Sequence, residues 1–152
     1  MLTTVQPIFQ CYELEVKYKR RIPQRHKISN SLTAYNFFKT IWASEKIEWV
    51  EEMLMICLNR ANGVIAFYRI SQGGTTGTVV DPKIIFQIAI SCGASSIMIC
   101  HNHPSGNLKA SEQDICFSKQ LKQAGQLLEI IVLDSMIITA DGYFSLADEG
   151  MM

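Results

Sequence analysis

Two histidines stand one residue apart in the run His101-Asn102-His103-Pro104-Ser105-Gly106, and Asp114 follows eleven residues after His103. Imidazole nitrogens and carboxylate oxygens are ligands for divalent transition metals, and two neutral imidazoles with one carboxylate suit zinc. Three protein ligands leave a fourth position for water, as catalytic rather than structural zinc requires. The chain contains three histidines, and two of them fall in this tripeptide, the third being His26. Without a metal, the pair reads as a polar surface loop. Ser111-Glu112-Gln113-Asp114 also has a second reading, the capping box, in which Ser111 accepts a backbone N–H and the acid reaches back. The two readings are compatible, since Ser111 can cap a helix while Asp114 turns to an ion.

These residues need elements that bring them together. The apolar run at residues 96–100 predicts a buried strand that emerges into a polar loop at His101. Two histidines one residue apart at a strand end project to the same side. Ser111 opens a helix that Gly125 closes, and its first turn returns Asp114 to the imidazoles if the helix packs on the strand. Upstream, residues 53–58 read as a strand buried on both faces, and Asn62-Gly63 turns the chain into a returning strand over 64–70. Residues 71–78, rich in Gly and Thr, read as a loop. Asp81-Pro82 caps and starts a helix that ends near Cys92, with Gly93 as terminator. Ser31 caps an amphipathic helix carrying Leu32, Tyr35, Phe38 and Trp42. Period-two alternation over residues 12–19 marks a half-buried edge strand, and residues 128–133, 136–139 and 143–145 read as short strands. Strands interleaved with about three helices predict an α/β fold, a single domain with a mixed sheet between helical layers.

At 152 residues, with 48% hydrophobic and 18% charged residues, the chain has the size and composition of one folded domain. Residues 1–28, an N-terminal strand and basic segment, are expected to be part of the same fold as 29–152. Fourteen basic and fourteen acidic residues balance, so no global field drives the chain toward nucleic acid or membrane. Six of the basic residues, Lys17, Lys19, Arg20, Arg21, Arg25 and Lys27, crowd into residues 17–27, where a solvated surface stretch and a cationic patch are the two readings. Five cysteines without a CxxC pair read as small buried hydrophobes rather than as a disulfide framework. No signal-peptide core and no apolar run near 20 residues is present, so a reducing, cytoplasmic setting without a membrane partner is expected.

His101–Gly106 followed by Ser111-x-x-Asp114 resembles the JAMM (MPN-type) metalloprotease motif, and specifically its RadC-like branch. The resemblance extends over Glu51 ahead of residues 54–59, the Asp81-Pro82 helix, residues 115–128, Leu133-Asp134 and Tyr143-Phe144-Ser145. It implies a fold similar to cytidine deaminases and a zinc held by His101, His103 and Asp114. It also implies an upstream glutamate as general base, which by register is Glu51, and a motif serine, Ser111, that steadies the oxyanion. Glu52 is the rival base, because adjacent strand positions face opposite ways. Zinc lowers the pKa of a bound water toward ~7 and polarises a carbonyl, and the base would pass the water proton to a leaving amine.

The chain departs from the family pattern at Asp134-Ser135, where relatives often carry Asp-His, and at Lys109-Ala110, where basic or proline positions are frequent. The helix-hairpin-helix element of longer RadC-like proteins has no counterpart here. The literal His-Asn-His is not the nuclease motif of that name, and the deaminase signature is absent. Three functions follow from these residues. The first is a zinc-dependent hydrolase acting on a protein or peptide substrate. The second is a DNA-repair-associated accessory protein whose support is the basic stretch. The third is a metal-bound scaffold without hydrolysis. The edge strand at 12–19 leaves a homodimer open.

Overall fold

Glu52–Leu58 (β1) and Ser96–Asn102 (β3) are buried at every position. A strand with no solvent-facing side belongs inside a sheet covered on both faces, and the computed structural model places both there. The structure describes residues 15, 17, 26–74 and 79–152. Five strands run in the order β2-β1-β3-β4-β5, with β2 at Val64–Gln72, β4 at Ile131–Ile138 and β5 at Tyr143–Ser145. β1 is antiparallel to β2 and to β3, β3 is parallel to β4, and β4 is antiparallel to β5. The sheet is therefore mixed, as expected.

Helix α1, Ser31–Ile41, covers one face. Its Phe37 and Phe38 share a core with Leu54, Ile56, Leu58, Met98 and Met136. Helices α2, Pro82–Ser91, and α3, Glu112–Leu127, cover the other face, where Ile85, Phe86 and Leu121 join Met53, Met55, Ile97 and Ile99. Even positions of β1 thus face α1, and odd positions face α2 and α3. That division decides which side chain near β1 can meet the histidines.

Several boundaries differ from the sequence reading, each for a local reason. The cap of α1 is Asn30, whose side chain accepts from Thr33 N at 2.9 Å while Thr33 Oγ1 accepts from Asn30 N at 3.1 Å. Ser31 instead donates to Asp148 at 2.5 Å. β2 continues through Ser71 and Gln72, which pair with Met53 and Glu52. β3 continues through His101 and Asn102, because both still pair with β4. Residues 131–138 form one strand rather than two, since the polar pair Asp134-Ser135 is satisfied in place. Ser145 Oγ and Ala147 N both donate to Asp134, at 2.5 and 3.0 Å. Burial pushes the Asp134 carboxyl up, and those bonds oppose the shift. Cys57 and Cys100 are buried as expected, whereas Cys92 is half-buried and Cys116 exposed, and these four are free thiols.

The strand expected over residues 12–19, and most of the basic stretch 17–27, lie outside the described residues. Residues 26–28 bind the β1–β2 turn, with Val64 N donating to His26 O at 2.8 Å and Ile28 N to Asn62 O at 2.9 Å. No helix among the described residues is long and apolar enough to cross a membrane.

Gly125 does not end α3. It lies inside the last turn, and the left-handed position falls on Glu129, at φ 56°. The glycine is there for contact. A Cβ at 125 would overlap Ile130 O and approach Val132 Cγ2 to 3.0 Å. Helix propensity favours alanine over glycine by about 1 kcal/mol, but overlap with backbone costs about 1–3 kcal/mol or more. Gly125→Ala is expected to lower the thermal midpoint by several degrees, at about 2–4 °C per kcal/mol for a domain of this size. A raised midpoint would show that propensity wins and that the α3–β4 turn opens freely.

Candidate metal centre

β3 and the first turn of α3 build the site between them. His101 is the penultimate residue of β3, held by Met53 of β1 on one side and Ile137 of β4 on the other. One residue beyond the strand, His103 N donates to Ile138 O at 3.0 Å, so the chain is still anchored to β4 there. The side-chain alternation of a strand then returns both rings to the α3 side. His101 Nε2 and His103 Nε2 are 3.0 Å apart. Asp114 Oδ1 is 3.3 Å from His101 Nε2, and Asp114 Oδ2 is 3.8 Å from His103 Nε2. Ligands at zinc bond lengths in a tetrahedron stand about 3.3 Å apart. The two separations at His101 Nε2 are close to that spacing, and one ligand atom from each of the three residues lies within 4.8 Å of the others, so the group could hold a metal ion.

The surroundings favour coordination. His103 Nδ1 lies 2.6 Å from Asn107 O, an oxygen that can only accept, so Nδ1 is the donor and Nε2 is the nitrogen turned toward His101 and Asp114. His101 Nδ1 is buried without a hydrogen-bond partner among the described residues, and its polar contacts are made through Nε2. Partial burial works to raise the Asp114 carboxyl, but hydrogen bonding and attraction from His101, with the Ser111 hydroxyl and N–H, hold it well below the usual carboxylate range. Asp114 is therefore ionised at neutral pH and able to ligate.

The capping box and the ligand arrangement coexist. Ser111 is the N-cap of α3, and its Oγ accepts from Asp114 N at 3.1 Å. Ser111 N and Oγ both donate to Asp114 Oδ2, at 2.8 and 2.7 Å. One carboxylate oxygen is thus fixed by the helix start while the other faces His101. To reach an oxyanion, the Ser111 hydroxyl would have to leave Asp114.

Glu51 and Glu52 part company at the start of β1. Glu51 lines a cavity of about 340 Å³ together with Met53, His101, His103, Ser111 and Asp114. Glu52 points the other way, fully buried on the α1 side, in an ion pair with Arg69 and 3.5 Å from Lys46 Nζ. Of the two glutamates, Glu51 is the one that lines the cavity shared with His101, His103 and Asp114.

Several participants carry no signal in the sequence. Val79, Val80 and Phe117 add an apolar wall to the cavity, although each reads alone as a loop or core residue. Arg69 sits in β2 without a motif, and only its pairing with Glu52 shows what it does. Asn102 passes as a spacer between the histidines, yet it is fully buried.

A family profile described as RadC-like JAB domain matches residues 28–151. A UPF0758 protein of Flavobacterium johnsoniae is 42% identical over 101 residues, covering 66% of this chain and 44% of that protein. A UPF0758 protein of Porphyromonas gingivalis is 37% identical over 134 residues, covering 88% of this chain and 58% of that protein. One from Thermotoga maritima is 32% identical over 130 residues, covering 86% and 56%. The chain spans about half the length of the curated relatives it matches.

Proposed function

The chain belongs to the RadC-like JAB domain family, and from that premise we propose that it is a zinc-dependent metallohydrolase cleaving a peptide or isopeptide bond. One observation carries the reading. His101, His103 and Asp114, with one ligand atom each within 4.8 Å of the others, line the same cavity of about 340 Å³ as Glu51, so ligands and base would meet where a substrate can enter.

His101, His103 and Asp114 would hold the ion. When bound, zinc supplies Lewis-acid polarisation of a carbonyl and a water made acidic enough to attack near neutral pH. The remaining work falls to the chain. Glu51 accepts the proton of the attacking water and delivers it to the leaving amine, the two halves of general base and general acid catalysis. Ser111 orients the Asp114 carboxylate by two donated hydrogen bonds, and its hydroxyl would leave Asp114 to meet developing negative charge. Met53, Val80 and Phe117 form the apolar side of the same cavity, where they would exclude bulk water.

The test begins with metal analysis of the purified protein, followed by a panel of fluorogenic peptides and isopeptide-linked conjugates with the zinc-loaded chain. Close to one zinc per chain and cleavage abolished by chelation are expected. Zinc far below one per chain after reconstitution would end the reading, and so would a full complement of zinc with no cleavage across the panel.

A further inference from the structure

Asn102 stands between the two histidines, and its side chain leaves the metal side altogether. It is fully buried on the α1 side of the sheet. Its Oδ1 accepts from Glu52 N at 2.7 Å, and its Nδ2 donates to Val50 O and to Ile47 O, both at 2.8 Å. Val50 O belongs to the peptide before Glu51, and Glu52 N to the peptide after it. One side-chain amide therefore holds both peptide units that flank Glu51. A third tie holds the same residue from the β2 side, where Gly73 N donates to Glu51 O at 2.8 Å.

We propose that Asn102 is a positioning residue that fixes the Glu51 carboxylate relative to the metal ligands. The proposal rests on the reading of His101, His103 and Asp114 as ligands with Glu51 beside them. The physical reason is geometric. Asn102 is joined to His101 and His103 through the backbone and to the Glu51 segment through three short hydrogen bonds, so ligands and base share one rigid link. The β1–β3 ladder begins at Met53, so among the described residues Asn102 supplies the side-chain hydrogen bonds that tie residues 47–52 to β3, beside the packing of Ile47 in one core with Met98 and Cys100. Hydrogen bonds in a buried setting are strong and costly to leave unmade, which suits a link that must hold position. Misplacement of a base by about 1 Å can cost on the order of 100-fold in rate. Asn fits this task because it both donates and accepts. Ser or Asp at 102 would offer fewer donors to the two carbonyls.

A double-mutant cycle on Co²⁺ affinity tests the link without a substrate. The Glu51 carboxylate beside a divalent ion strengthens its binding, and that gain falls with distance. In the wild-type background, Glu51→Gln is expected to weaken Co²⁺ binding about fivefold. In the Asn102→Ala background the same substitution is expected to change it by less than about twofold, with Co²⁺ still bound by the three ligands. Should Asn102→Ala fail to fold, Asn102→Asp replaces it, retaining the acceptor for Glu52 N and losing the donors, with an intermediate effect expected. A merely structural asparagine would lower the thermal midpoint and leave the Glu51→Gln effect at full size in both backgrounds, and that result overturns the proposal. No Glu51→Gln effect in either background would instead remove Glu51 from the metal's neighbourhood, and the general-base reading with it.

Discussion

Asp114→Asn is expected to remove stoichiometric zinc while leaving helix α3 almost intact. Asp114 has two structural jobs. Its carboxylate accepts from Ser111 N and Oγ as part of the helix cap, and its Oδ1 faces His101 at 3.3 Å. Asparagine keeps a side-chain oxygen at the same reach, so the cap loses only part of a contribution of about 0.5–2 kcal/mol. The charge it removes is the sole anion among the three ligands. Substitutions in the hydrogen-bonding partners of ligands already cost about 10–100-fold in affinity, so loss of a ligand itself is expected to exceed 100-fold. His101→Ala should lose zinc to the same degree. Its ring is almost wholly buried on the α3 side of the sheet, so that variant also leaves a cavity and a lower thermal midpoint.

Two readouts separate these effects. Competition with a chromogenic chelator gives the affinity. The thermal midpoint with and without added zinc gives the linkage, because ligand at about 100 times its dissociation constant stabilises by about 2.7 kcal/mol. The wild-type midpoint is expected to rise on adding zinc, and those of Asp114→Asn and His101→Ala to stay where they are. Zinc retained by Asp114→Asn, with only the cap loosened, would reduce Asp114 to a helix-capping residue.

That Asp114 completes the helix cap and also lies among the donors that could hold a metal explains why the sequence left it undecided. A capping box and a metal ligand ask for the same residue at the same place in the first helical turn, and no local pattern separates them. The histidines were more legible, because spacing by one at the end of an apolar run fixes their common side. The central strands and the Asp81-Pro82 helix start were legible for similar local reasons. Where structure and local signal differ, tertiary contact overrides the local signal. Gly125 looks like a terminator, but its missing Cβ makes room for Ile130 O. Asp134-Ser135 looks like a break, but Ser145 and Ala147 satisfy the carboxylate from outside the strand. Asn102 carries no pattern at all, because its three partners lie about fifty residues upstream.

The choice between Glu51 and Glu52 was open for a related reason. β1 is buried on both faces, so hydrophobicity does not say which side faces the histidines. The partners across the sheet do. Arg69 and Lys46 take Glu52 on the α1 side, and Glu51 is left on the cavity. Opposite phenotypes are therefore expected from the same chemical change at adjacent positions. Glu51→Gln should keep one zinc per chain and an unchanged thermal midpoint, while cleavage of any peptide found in the panel falls about 10²–10⁴-fold, the usual worth of general acid–base catalysis. Glu52→Gln should keep zinc and most of the cleavage but lower stability by about 1–3 kcal/mol. That is less than for a wholly buried pair, because Arg69 and Lys46 are about a third exposed. The measurement is kcat beside the thermal midpoint for both variants. If Glu52→Gln instead stops cleavage at an unchanged midpoint while Glu51→Gln cleaves normally, the base lies on the other face of β1.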